Sequence, residues 1–120
     1  MSVRLKRAYE LASPEDGFRV LVERLWPRGI KKTDLRLDAW LKDVAPSPNL
    51  RRWFGHDPAR FDGFAARYRR ELARQPAKEA VTELVERAAE GDLTLVYGAR
   101  DGQHNSARVL RDAITGGLQE

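Results

Sequence analysis

The 120-residue chain has no cysteine, one methionine and two histidines. Without cysteine there is no thiol nucleophile, no disulfide, no iron–sulfur cluster and no thiolate zinc site. His56 and His104, even with Asp57 or Asp101 beside them, make a poor ligand set, so no metal is expected; whether a cofactor is used is open. Long apolar runs are missing too: Val20-Leu21-Val22 is typical of the longest, against the ~20 residues a membrane helix needs. Residues 1–9 hold no apolar stretch of the kind a secretory signal requires, which predicts a cytoplasmic protein that does not enter a membrane. Four common catalytic signatures are absent as well: the phosphate-binding G-x-x-x-x-G-K-[ST] loop, G-x-G-x-x-G, H-E-x-x-H and G-x-S-x-G.

What the chain has in quantity is arginine. Lys and Arg together number 22 against 18 Asp and Glu, a net charge of +4, and 17 of the 22 are Arg. Composition bias from GC-rich coding accounts for many of them. A planar guanidinium also suits bidentate capture of phosphate or carboxylate. The excess sits in the first half, where residues 1–56 hold 12 basic and 7 acidic groups. Arg60, Arg67 and Arg74 recur every seven residues, as a solvated helix face would.

The pattern predicts one α/β domain over residues 1–120, in three layers, with a small, mainly parallel sheet flanked by helices. Val3 to Ala8 alternates as a first strand. Phe18 to Trp26 reads as a second, apolar on both faces as a covered strand is. Arg24 continues the Val20–Val22 face to its C-terminal edge, and Pro27 and Gly29 make a turn with Arg28 at the tip. A helical turn over Ile30–Leu35 follows; Leu37, Leu41 and Val44 then fit helical spacing while Leu37, Ala39 and Leu41 fit strand alternation, so 38–43 is either, with a strand favoured because Ala45-Pro46-Ser47-Pro48 stops it at once. Ser47-Pro48 opens a helix that Gly55 ends. Asp57-Pro58 opens a second, to about Arg74, leaving His56 in the joint. A third runs from Pro76 to Gly91, Leu93–Tyr97 is a buried strand, and a last helix through Ala107, Leu110 and Ile114 ends at Gly116-Gly117.

Open α/β sheets bind ligands beyond the C-terminal ends of their strands. Two segments have that placement, Arg24–Gly29 and Gly98–Asn105. Were their strands neighbours, Arg24, Arg28, Arg100 and Asn105 would converge as ligand-binding residues, with His104 and Asp101 as a catalytic acid–base pair. The expected partner is an anionic small molecule bearing phosphate, nucleotide or carboxylate. Plainer roles compete: Arg24 paired with Asp43, Arg28 solvated, and His104 and Asn105 as helix caps. A nucleic-acid-associated module using the arginine-rich surface is one alternative function. An interaction domain assembling through Trp26, Trp40 or Trp53 is another, and oligomeric state is open.

Four phrases carry a resemblance. Val20-Leu21-Val22-Glu23-Arg24-Leu25-Trp26-Pro27-Arg28-Gly29, Trp40-Leu41-Lys42-Asp43-Val44-Ala45-Pro46-Ser47, Trp53-Phe54-Gly55-His56-Asp57-Pro58, and Leu95-Val96-Tyr97-Gly98-Ala99-Arg100-Asp101 followed by His104-Asn105, resemble the YeaO-like branch of the family called domain of unknown function 488. The likeness covers nearly the whole chain and implies a single α/β domain, with no activity attached. It further implies that Arg24 stands at a strand-end arginine of the wider family. Gln103-His104-Asn105 stands where that family carries Cys-His-Arg, so only the histidine is kept and a thiol role is lost.

Overall fold

In the computed structural model, which describes residues 2–118, four strands form one parallel sheet in the order β1-β4-β2-β3. The strands are β1 (Val3–Arg7), β2 (Phe18–Leu21), β3 (Ala39–Trp40) and β4 (Leu93–Tyr97). β4 is central, with Leu95 opposite Leu5 of β1 and Val20 of β2. All five of its residues are buried, which is why its sequence is continuously apolar or β-branched rather than alternating. The helices are α1 (Lys32–Leu35), α2 (Pro48–Phe54), α3 (Phe61–Leu72), α4 (Ala77–Glu90) and α5 (Ser106–Leu118). The expected α/β architecture with a flanked parallel sheet is therefore present.

The layers are unequal. Val20, Val22, Leu93 and Leu95 face the larger core, built with Phe54, Phe64, Tyr68, Leu84, Leu110 and Ile114 of α2 to α5. Leu21 and Val96 face a smaller core closed by Leu35, Trp26 and Trp40. α3 buries Phe64, Ala65, Tyr68 and Leu72, a spacing that keeps one stripe inward. Ser47 caps α2 by accepting the Leu50 N–H at 3.2 Å. Glu71 of α3 in turn accepts the Ser47 N–H at 2.8 Å and its hydroxyl at 2.6 Å, fastening the two helices.

Beside β2 lies a buried ionic group. Asp16, in a 3-10 turn over Pro14–Asp16, accepts from Arg19 Nη1 at 2.6 Å and from Lys6 Nζ at 3.1 Å. Arg19 is 4% exposed and gives its remaining donors to the carbonyls of Leu35 and Arg36. Charge this deep is tolerated because every member is hydrogen-bonded.

Several boundaries differ from expectation. The second strand ends at Leu21 rather than Trp26; the Val22 N–H still bonds Val96, after which the chain bends away. The expected strand over 38–43 contracts to two residues, because Lys42–Val44 coils into a 3-10 turn ahead of Pro46. Pro58–Arg60 is also 3-10, so α3 begins at Phe61. Gly116 and Gly117 lie within α5 instead of ending it. A Cβ on Gly117 would stand 2.9 Å from Val85 Cγ2, so the glycine permits close packing of α5 on α4. Arg60, Arg67 and Arg74 are exposed, and the first two guanidinium groups also lie 5.4 and 3.9 Å from the Trp53 ring centroid.

Candidate functional site

β2 and β4 are direct neighbours, so the loops that follow them emerge side by side. Between these loops and α2 lies a cavity of about 590 Å³, within the range that small-ligand pockets occupy. The loop after β2 contributes Glu23, Leu25, Pro27 and Arg28, and the loop after β4 contributes Gly98, Ala99, Asn105 and Ser106. α2 and its flanks supply Pro46, Pro48, Arg51, Arg52, Phe54 and His56, with Phe64 of α3 behind them and Tyr9 at the mouth.

Glu23 is the only carboxylate in this lining. Its position is set twice, by the Trp40 indole N–H on its carbonyl at 2.6 Å and by the Gly98 N–H on Oε1 at 3.1 Å. Trp40 is steadied by an edge contact with Trp26, centroids 5.5 Å apart, and Trp26 bonds the Ile30 carbonyl at 2.7 Å. Among the described residues no basic side chain forms an ion pair with Glu23. Arg51 and Arg52 are exposed on α2, and His56 follows Gly55 through two successive left-handed residues, φ 55° and 58°. The first ends α2 at a glycine; the second holds a side chain in a conformation that costs an L-residue roughly 1–2 kcal/mol. The apolar wall is a stack in which Phe54 and Phe64 lie 4.3 Å apart, continued by Tyr68. Tyr68 is fully buried and donates to the Val44 carbonyl. Burial raises its hydroxyl far above the ordinary tyrosine range, and the nearby Glu23 and Glu71 charges push the same way.

The rim is braced from β1. Arg7 Nε bonds the Ala99 carbonyl at 2.9 Å and its guanidinium lies 5.1 Å from the Tyr9 ring centroid, while the Tyr9 hydroxyl bonds the Arg28 carbonyl at 3.2 Å.

Of the six site residues expected from sequence, Arg28 and Asn105 line the cavity. Asn105 is 3% exposed and both its polar ends are engaged: Oδ1 caps α5 by accepting the Arg108 N–H at 2.9 Å, and Nδ2 donates to the Asp101 carbonyl at 2.8 Å. Arg100 is exposed and lies outside the lining. Arg24 is also outside it, makes no pair with Asp43, and keeps a solvent-excluded Nε without a partner among the described residues. Asp101 and His104 do form a pair, with His104 Nδ1 and Asp101 Oδ2 2.9 Å apart. The Gln103 N–H, then the His104 ring and N–H, hold the Asp101 carboxyl below its ordinary range. An ionised carboxylate only accepts, so Nδ1 carries a proton toward Asp101. The ring packs edge-on against Phe61 at 5.2 Å, outside the cavity lining. Glu23, Arg51, Arg52 and His56 are cavity residues that strand-end reasoning did not select, though all but Arg51 and Arg52 fall in the phrases quoted above.

Residues 2–120 match the family described as the Inactive DUF488-N3 subclade. The chain belongs to this family. Members similar to it include Uncharacterized protein Rv3073c of Mycobacterium tuberculosis H37Rv, 45% identical over 114 residues, or 95% of this chain and 94% of that one. Uncharacterized protein Mb3100c of Mycobacterium bovis gives the same figures. Uncharacterized protein YeaO of Escherichia coli K12 is 43% identical over 112 residues, covering 93% and 96%. No solved structure matches the chain. Within this DUF488-N3 chain, no group of three or more potential metal ligands occurs among the described residues. None of their helices is long and apolar enough to cross a membrane.

Proposed function

We propose that this domain binds an anion-bearing small molecule in the cavity at the C-terminal ends of β2 and β4, and that binding rather than turnover is its role. The observation that carries the reading is the gathering of Arg28, Arg51, Arg52 and His56 around one cavity with an aromatic wall. Guanidinium groups there can grip a phosphate or carboxylate while the Phe54–Phe64 stack takes an apolar body. Two facts favour binding over catalysis. The Asp101–His104 pair lies outside the lining, and the subclade is described as inactive.

The test is thermal melting with inorganic phosphate. At ten times its dissociation constant, phosphate should raise the melting temperature by about 5 °C for a chain of this length. The double variant Arg51→Ala/Arg52→Ala, altered only at exposed positions, should melt like wild type alone and lose that rise. A rise that survives in the double variant refutes the assignment.

A further inference from the structure

Glu23 is out of place in an anion site. Its carboxylate is half-buried, sits in a cavity with three arginines, and pairs with none of them. One oxygen accepts the Gly98 N–H and the Trp40 indole locks the backbone beneath it, so the group is held where it is rather than swinging out to solvent. A carboxylate kept in partial burial is stabilised only by donors, and the Gly98 N–H uses Oε1 alone. No hydrogen bond to Oε2 is formed among the described residues.

We infer that the cavity takes a bipolar ligand: an N–H donor group seated on Glu23 and an anionic group held by Arg51 and Arg52, with a flat apolar body against Phe54. This rests on the anion-binding reading and narrows it to a chemical class. Two kinds of molecule share that chemistry. A guanine nucleotide presents adjacent N1–H and N2–H donors with its phosphate, and an aromatic amino acid presents an ammonium with its carboxylate. Adenine, with a bare N1 acceptor beside its amino group, does not match.

Matched pairs separate the donor requirement from anion binding. GMP is compared with AMP, and phenylalanine with 3-phenylpropanoate, by calorimetry on the full chain. In at least one pair the donor-bearing member should bind about tenfold or more tightly than its partner, the ratio a charge-assisted hydrogen bond supplies. Which pair shows it identifies the source. Glu23→Gln keeps an oxygen for Gly98 but removes the charge. It should bring that ratio close to one without weakening phosphate stabilisation, which loss of a negative charge in the cavity can only favour, and its own melting curve reports whether it folds. Equal affinities within both pairs on the wild-type protein overturn this inference whatever the variant does. If phosphate stabilisation still depends on Arg51 and Arg52, the anion site itself stands. If neither phosphate nor any of the four compounds binds, both readings fall together.

Discussion

Asp16→Asn tests whether the buried ionic group under β2 stabilises the fold. Burial alone would raise the Asp16 carboxyl, but hydrogen bonds from the Ser13 N–H, Lys6, the Ser13 hydroxyl and Arg19 outweigh it and bring the group from 3.8 down to about 2. That depression corresponds to about 2 kcal/mol of folding stability at neutral pH. Asparagine also turns an N–H group toward Lys6 and Arg19 and leaves the 4%-exposed Arg19 charge uncompensated, an arrangement that costs ~3–5 kcal/mol when a buried pair is broken. Arg19 keeps its bonds to the Leu35 and Arg36 carbonyls, so the lower end applies. The expected loss is about 3 kcal/mol at pH 7, or about 12 °C in melting temperature. Because the folded-state value is depressed, the wild-type contribution is present above pH 3.8 and fades as the pH falls through about 2. Urea melts of both proteins at pH 7, 4, 3 and 2 should therefore show the gap narrowing by about 2 kcal/mol toward the acid end. A gap that stays constant with pH, or one below about 1 kcal/mol at pH 7, refutes the reasoning.

Asn105→Ala removes the α5 cap and leaves the Arg108 N–H and Asp101 carbonyl without their partner; chemical denaturation should show a loss of about 1–2 kcal/mol. Tyr68→Phe strips the donor from the buried Val44 carbonyl and should cost about 1–2 kcal/mol. The raised Tyr68 hydroxyl also makes folding stability fall above the ordinary tyrosine value of 10.0, since only the unfolded chain ionises there. Absorbance titration of wild type and Tyr68→Phe should coincide until alkaline unfolding, and an extra tyrosinate signal from the folded wild-type protein would contradict this. Gly17→Ala places a Cβ 2.3 Å from the Asp92 carbonyl oxygen at a residue with φ 62°. It should cost at least about 2 kcal/mol by urea melting.

Much of the fold is legible because its elements are locally consistent. Leu93–Tyr97 is apolar or β-branched but for Tyr97's hydroxyl and lies between Gly91 and Gly98. Ser47-Pro48 and Gly55 bracket α2 as capping chemistry requires, and the α3 stripe repeats at helical spacing. Strand length is less legible. Period two carries Arg24 onto the Val20–Val22 face, but the sheet offers no ladder partner beyond Val22, and the chain turns before Arg24 can follow that face. The same bend bears on which of the expected residues line the cavity. Strand-end reasoning places the two loops together, which the β2–β4 pairing bears out, but it cannot see that α2 packs across them and brings Arg51, Arg52 and His56 to the cavity. Glu23 is not legible as a site residue because its partners, the Trp40 indole and the Gly98 N–H, lie 17 and 75 residues away.

The Trp40–Glu23–Gly98 link also determines how binding would be felt. It joins the ends of β3, β2 and β4 where the ladder has already stopped. A ligand pressing on Glu23 therefore presses on half-buried residues tied to three strand ends, whereas one touching only the α2 arginines meets exposed side chains. Amide exchange should tell the two apart: occupancy of Glu23 would slow the Gly98 amide and the Trp40 indole proton, and occupancy of the arginines alone would leave both at their unliganded rates.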